Sequence, residues 1–116
     1  MHLVAIGLNH QTAPLSVREK LAFPAETLPG ALESLVNSRA ATEAAIVSTC
    51  NRTELYCASP DPAAPTRWLS AFHGLAPEEI APYLYRLEAP EAARALEAME
   101  ARCFRLRILG SYPVES

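Results

Sequence analysis

The chain has 116 residues, 50% hydrophobic and 20% charged, which is enough for one domain with its own core and too few for two. That balance excludes collagen-like, coiled-coil and wholly disordered chains. Ten basic and thirteen acidic side chains leave a net charge of −3, so there is no general attraction to nucleic acid or an anionic membrane, and only local arginines remain for such a role.

Leu3 to Leu8 is a short apolar run that predicts a buried strand. Asn9 to Pro14 follows as a loop, with Pro14 placed to open a turn or helix. Ser16 to Leu21 predicts a short helix. A longer helix is expected over Ala25 to Asn37, with Leu28, Leu32, Leu35 and Val36 on one side and Pro29 tolerated only in the first turn. Ala44 to Ser48 and Thr53 to Cys57 predict two strands close enough for an antiparallel hairpin, its tip at Thr49 to Arg52.

Ser59-Pro60-Asp61-Pro62 interrupts the pattern, and the proline-bearing stretch to Pro65 is expected to be a mobile loop. A helix is expected over Thr66 to His73, with Leu69 and Phe72 inward and Gly74 capping its end. Pro77 to Ile80 predicts one helical turn, and Tyr83 to Leu87 a last strand. From Pro90 onward, Leu96, Met99, Cys103 and Leu106 form one apolar helical stripe. Arg102, Arg105 and Arg107 lie near its end, where the helix dipole favours cations and a solvated helix terminus is expected, before Gly110 and Pro113 stop it. The fold class expected from this order is α+β, a ferredoxin-like βαββαβ sandwich with an additional C-terminal helix.

No apolar run approaches the roughly 18–20 residues of a membrane span, and the opening segment lacks the basic leader of a secretory signal. Three cysteines without a C-x-x-C pair suggest neither a disulfide framework nor a zinc site. Free thiols without a signal point to a reducing compartment, so a cytoplasmic location is expected. The four glycines are too scattered for a phosphate-cradling motif, so no dinucleotide or nucleoside triphosphate site is expected in this chain.

Ser48-Thr49-Cys50-Asn51-Arg52-Thr53 places a thiol among polar residues where a buried strand ends. Cys50 has two readings, a nucleophile or a small buried hydrophobe. The nucleophile needs the thiolate, which a nearby guanidinium favours. Arg52 either supplies that charge or grips a substrate carboxylate, while Thr49 and Asn51 supply hydrogen-bonding groups for an orienting loop. Cys57 and Cys103 read as core. His10 is a candidate base if its loop approaches the hairpin tip, or a loop-bracing residue; His73 is placed to cap helix carbonyls.

Gly7-Leu8-Asn9-His10-Gln11-Thr12-Ala13-Pro14, Val17-Arg18-Glu19 and Ser48-Thr49-Cys50-Asn51-Arg52-Thr53-Glu54-Leu55-Tyr56 together resemble the N-terminal catalytic domain of glutamyl-tRNA reductases, over residues 1 to about 94. The resemblance implies that Cys50 attacks the ester of glutamyl-tRNA to form a thioester, with Thr49, Cys50, Asn51 and Arg52 binding substrate. It implies that hydride from NADPH reduces the thioester to glutamate-1-semialdehyde, the first committed step of tetrapyrrole synthesis by the five-carbon route. It also implies that NADPH binding and homodimerisation belong to domains outside this chain. Two departures accompany it. Ala95 stands where the family has a histidine opening an H-L-x-x-V segment, and residues 101–116 contain no G-L-D-S or G-E-x-Q stretch. The expected domain organisation is therefore one domain over 1–116, its tail departing from the family at about 95. Two functions follow: the catalytic domain of such a reductase, or a non-catalytic homologue that binds glutamyl-tRNA. A thiol-redox protein is a weaker third reading, since it needs Cys50 and Cys57 on the same side of the hairpin.

Overall fold

The computed structural model describes residues 2–102 and 107–109. Five strands form one antiparallel sheet: β1 (His2–Asn9), β2 (Glu43–Ser48), β3 (Arg52–Ser59), β4 (Tyr85–Glu88) and β5 (Arg107–Leu109), in the order β4-β1-β3-β2-β5. The helices are α1 (Leu15–Leu21), α2 (Leu28–Asn37), α3 (Ala64–Phe72), the single turn α4 (Pro77–Ile80) and α5 (Glu91–Arg102). The protein is thus α+β, with the expected hairpin of β2 and β3 at the centre of the sheet.

Alternation along the strands divides the core in two. Val4, Ile6 and Leu8 of β1, Ala44 and Ile46 of β2, and Leu55 and Cys57 of β3 point to one face. There they meet Leu21, Phe23, Leu28, Leu32, Leu35, Trp68, Leu69 and Ile80 from the helical segments. Ala5, Ala45, Val47 and Tyr56 point to the other face, where Ala92 and Leu96 of α5 cover them.

Several local expectations shift for identifiable reasons. The segment Ala25–Thr27 is a 3₁₀ turn, and the α-helix begins at Leu28, which keeps Pro29 within its first turn. Pro65 lies inside the first turn of α3, so this helix begins two residues earlier than the pattern suggests. The preceding loop, expected to be mobile, is densely bonded. The Ser59 hydroxyl lies 2.6 Å from the Ala40 carbonyl and 2.7 Å from that of Asp61, while Asp61 accepts from Ala63 N at 3.0 Å and pairs with Arg67 at 2.6 Å. Arg67 accordingly holds the Asp61 carboxyl below its usual range.

Phe72, expected inward, is 41% exposed and stacks on Trp68 with ring centroids 4.8 Å apart. Gly74 ends α3 with φ of +70°, the left-handed conformation its missing Cβ permits. Tyr83 closes a 3₁₀ turn, so β4 begins at Tyr85.

The largest correction lies at the tail. Leu96 is buried as the stripe requires, but Arg107 belongs to a strand rather than to the helix end: Arg107–Leu109 pairs with β2 through Arg107↔Ile46 and Leu109↔Ala44. Tertiary pairing with the open edge of β2 overrides the helical periodicity there. Cys103, Arg105, Leu106, Gly110 and Pro113, and the side chains of Met99 and Arg102, lie outside the described residues.

Candidate active site

The tip between β2 and β3 is a tight, self-bonded turn. Thr49 Oγ1 accepts from the backbone N–H groups of Asn51 and Arg52, both at 3.2 Å, and Thr49 N donates to the Arg52 carbonyl at 2.8 Å. Cys50 and Asn51 are consequently held out in solvent. Arg18, on α1, donates from Nε to the Ala13 carbonyl at 3.2 Å and from Nη1 to the Cys50 carbonyl at 3.1 Å. This guanidinium ties the tip to the loop after β1 and places a positive charge against the cysteine backbone. Phe23 N donates to Ser48 Oγ at 2.9 Å, fixing the strand end just before the tip.

That loop is braced by its own first residue. Asn9 Oδ1 accepts from Gln11 N at 2.9 Å and Thr12 N at 3.2 Å, and Asn9 pairs with Arg52 in the sheet, which sets the loop beside the base of the tip. An open cleft of about 470 Å³ lies here, lined by Asn9, Gln11, Thr12, Arg52, Glu54, Tyr56, Tyr85, Leu87, Ala95 and Ala98.

Glu54 forms its polar centre. Only 5% exposed, it accepts from Tyr56 Oη at 2.7 Å, from Tyr85 Oη, and from Arg52 Nη1 at 3.4 Å. Burial, and then the adjacent carboxylate, push both phenols well above the ordinary tyrosine range, so they remain donors. Gly7 makes this arrangement fit. It is the sheet partner of both Glu54 and Tyr85, and a Cβ there would lie 2.6 Å from Glu54 Cγ and 2.6 Å from the Thr53 carbonyl oxygen. Its bare backbone lets Tyr85 reach across β1 to the Glu54 carboxylate.

Arg52 therefore lines the cleft, and Cys50 stands out at the tip that precedes it, with Thr49 organising the turn. His10 is exposed and is not among the cleft residues, whereas its neighbours Gln11 and Thr12 are. His73 caps as expected, its ring nitrogens 3.1 Å from the Leu69 carbonyl and 3.2 Å from that of Ala22. Cys57 is buried among aliphatic side chains, which pushes its thiol up to about 12 and removes it as a redox partner for Cys50. Glu54 and Tyr56 fall within the motif that carries the family resemblance, but neither they nor Tyr85 receive a role from the sequence. The available signal was period-two spacing, which puts Arg52, Glu54 and Tyr56 on one face of β3. Among the described residues, no group of three or more His, Cys, Asp or Glu side chains is placed to hold a metal ion, and no helix is long and apolar enough to cross a membrane.

Residues 6–100 match the family model of the glutamyl-tRNA(Glu) reductase N-terminal domain. The glutamyl-tRNA reductases of Neisseria gonorrhoeae and Neisseria meningitidis serogroup B are each 61% identical over 94 residues, covering 81% of this chain and 22% of the relative. The chain thus spans about a fifth of the length of these relatives. A solved glutamyl-tRNA reductase from Methanopyrus kandleri shares the fold with a TM-score of 0.57 at 22% identity, over 84% of this chain and 21% of that one. With the family model matched over most of its length, this chain belongs to the glutamyl-tRNA reductase family, in the region that forms its N-terminal domain.

Proposed function

We propose that this chain is the acyl-transfer part of a glutamyl-tRNA reductase, with Cys50 as the catalytic nucleophile and Thr49, Cys50, Asn51 and Arg52 binding the glutamyl group of glutamyl-tRNA. The observation that carries this reading is the solvent-exposed Cys50 on a turn pinned by Thr49 and Arg18, next to a cleft lined by Arg52. A ferredoxin-like arrangement belongs to the same reading, supported by the β4-β1-β3-β2 order with all neighbours antiparallel. A cytoplasmic setting follows from the substrate, since charged tRNA is made where translation occurs.

In the proposed step the Cys50 thiolate adds to the carbonyl carbon of the ester joining glutamate to the terminal ribose of its tRNA. A C–S bond forms, the ester C–O bond breaks, and the thiol proton ends on the departing ribose oxygen. Nothing is oxidised or reduced. A thiolate suits this step because it is a strong nucleophile toward acyl carbon. Arg52 is suited to hold the side-chain carboxylate of the glutamyl group, the planar fork matching it bidentately.

NADPH would supply hydride for reduction of the thioester to the semialdehyde, the opening step of tetrapyrrole synthesis in this family. The described glycines do not build a site for it: Gly7 is wedged against Glu54, Gly30 lies within α2 and Gly74 caps α3, so none opens a strand-to-helix phosphate turn. The chemistry derived from this chain therefore ends at the thioester.

The test is to incubate the 116-residue chain with glutamyl-tRNA labelled in its amino acid. Wild type should acquire hydroxylamine-labile label, and Cys50→Ala should lose it while keeping its denaturation midpoint, because the side chain is exposed. Label persisting in Cys50→Ala would overturn the assignment, and binding without any adduct would indicate a non-catalytic glutamyl-tRNA-binding module instead.

A further inference from the structure

One rung of residues crosses four strands, Tyr85 of β4, Gly7 of β1, Glu54 of β3 and Val47 of β2, and of these Tyr85 and Glu54 line the cleft. Strands β4 and β3 are two sheet spacings apart, about 10 Å, and the Tyr85 and Glu54 side chains close that gap over Gly7. We propose that Glu54, clamped by Tyr56 and Tyr85, is a positioning residue. It holds the Arg52 guanidinium toward the cleft and thereby sets the preference of the site for an acidic acyl group over its amide counterpart. This rests on the reading of Arg52 as the residue that grips the substrate carboxylate.

Three features support the assignment. First, a buried carboxylate is costly unless it is fully hydrogen-bonded, and here three donors converge on one that is almost completely out of solvent. Second, both phenols are held neutral, so they act as fixed dipoles that share the carboxylate's charge. Glu54 engages Arg52 through Nη1 at 3.4 Å. Third, the Arg52 side chain keeps 29% of its surface exposed on the cleft. An arginine tethered before its ligand arrives loses less side-chain entropy on binding, which favours the ligand whose charge it matches.

The measurement is the rate of Cys50 acylation by the 116-residue chain, using one tRNA carrying either glutamate or glutamine. Wild type should prefer the glutamyl form. Tyr85→Phe should reduce that preference by about tenfold, as expected for loss of one hydrogen bond to a charged group, through weaker saturation rather than a lower maximal rate. Glu54→Gln should reduce it at least as much. In an Arg52→Gln background neither change should alter the preference further. Equal loss of rate with both acyl groups, or a Tyr85→Phe effect that adds to that of Arg52→Gln, would mark the cluster as merely structural and overturn the inference. Selective wild type with equally selective Tyr85→Phe would overturn this inference alone. Failure of wild type to be acylated would remove the reading of Cys50, and this inference with it.

Discussion

The two faces of the sheet are built from the same strands and differ in almost everything else. One face carries Val4, Ile6, Leu8, Ile46 and Leu55 under a roof of leucines, Phe23 and Trp68, and among the described residues no buried carboxylate or cation points to it. The other carries Ala5, Ala45 and Val47 under a single helix, with Glu54 and Tyr56 beside them and Gly7 opening space for a third polar side chain. Aliphatic burial contributes about 1.5–3 kcal/mol per large side chain, so most of the folding free energy belongs to the first face. The second face carries small residues that let α5 approach one part of it, and polar groups that form a cleft in the rest. The aliphatic core and the polar cleft are thus separated by one layer of backbone.

The sharpest way to break the contrast is to cut into the aliphatic face. Leu55→Ala removes a fully buried side chain from the central strand and should cost about 3 kcal/mol, read as a lower denaturant midpoint with an unchanged slope. On the other face Gly7→Ala should cost about 2 kcal/mol, because its methyl meets a backbone oxygen that cannot retreat. Unlike the leucine change, it should also detach Tyr85 from Glu54 and reduce the preference for a glutamyl group at least as much as Tyr85→Phe does.

Alkali should distinguish the faces more gently. Tyr56 and Tyr85 have raised folded-state values, so they stay neutral when their unfolded counterparts ionise near pH 10. Their contribution is fully present below that pH and declines as pH rises further. Absorbance titration at 295 nm should show two tyrosines ionising late in the native protein and normally in urea. Cys57 on the aliphatic face contributes a similar decline beginning near its unfolded value and ending at about 12. Tyr85→Phe should flatten the part of the slope above pH 10 and leave the thiol's part intact.

The aliphatic face was largely legible in the sequence, because runs such as Leu3–Leu8 and the spacing of Leu28, Leu32 and Leu35 report burial directly. The hairpin and the position of its tip were legible for the same reason, since a short polar segment separates two apolar ones, whereas the exposure of Cys50 was left open between two readings. The polar cleft was not. Glu54 and Tyr56 alternate with Leu55 and Cys57 and so look like an ordinary solvent-facing edge. Only α5, folding over that face, converts it into a partly buried site. Phe72 and Arg107 were misplaced for a related reason: helical spacing cannot report that an aromatic will stack at the surface, nor that an unpaired strand edge will recruit three residues.

Arg18 links these regions through two carbonyl oxygens, one at Ala13 and one at Cys50, on segments 37 positions apart in the chain. The outer turn and the first helix are consequently joined by one guanidinium, so a displacement of α1 either carries the Cys50 carbonyl with it or breaks that hydrogen bond.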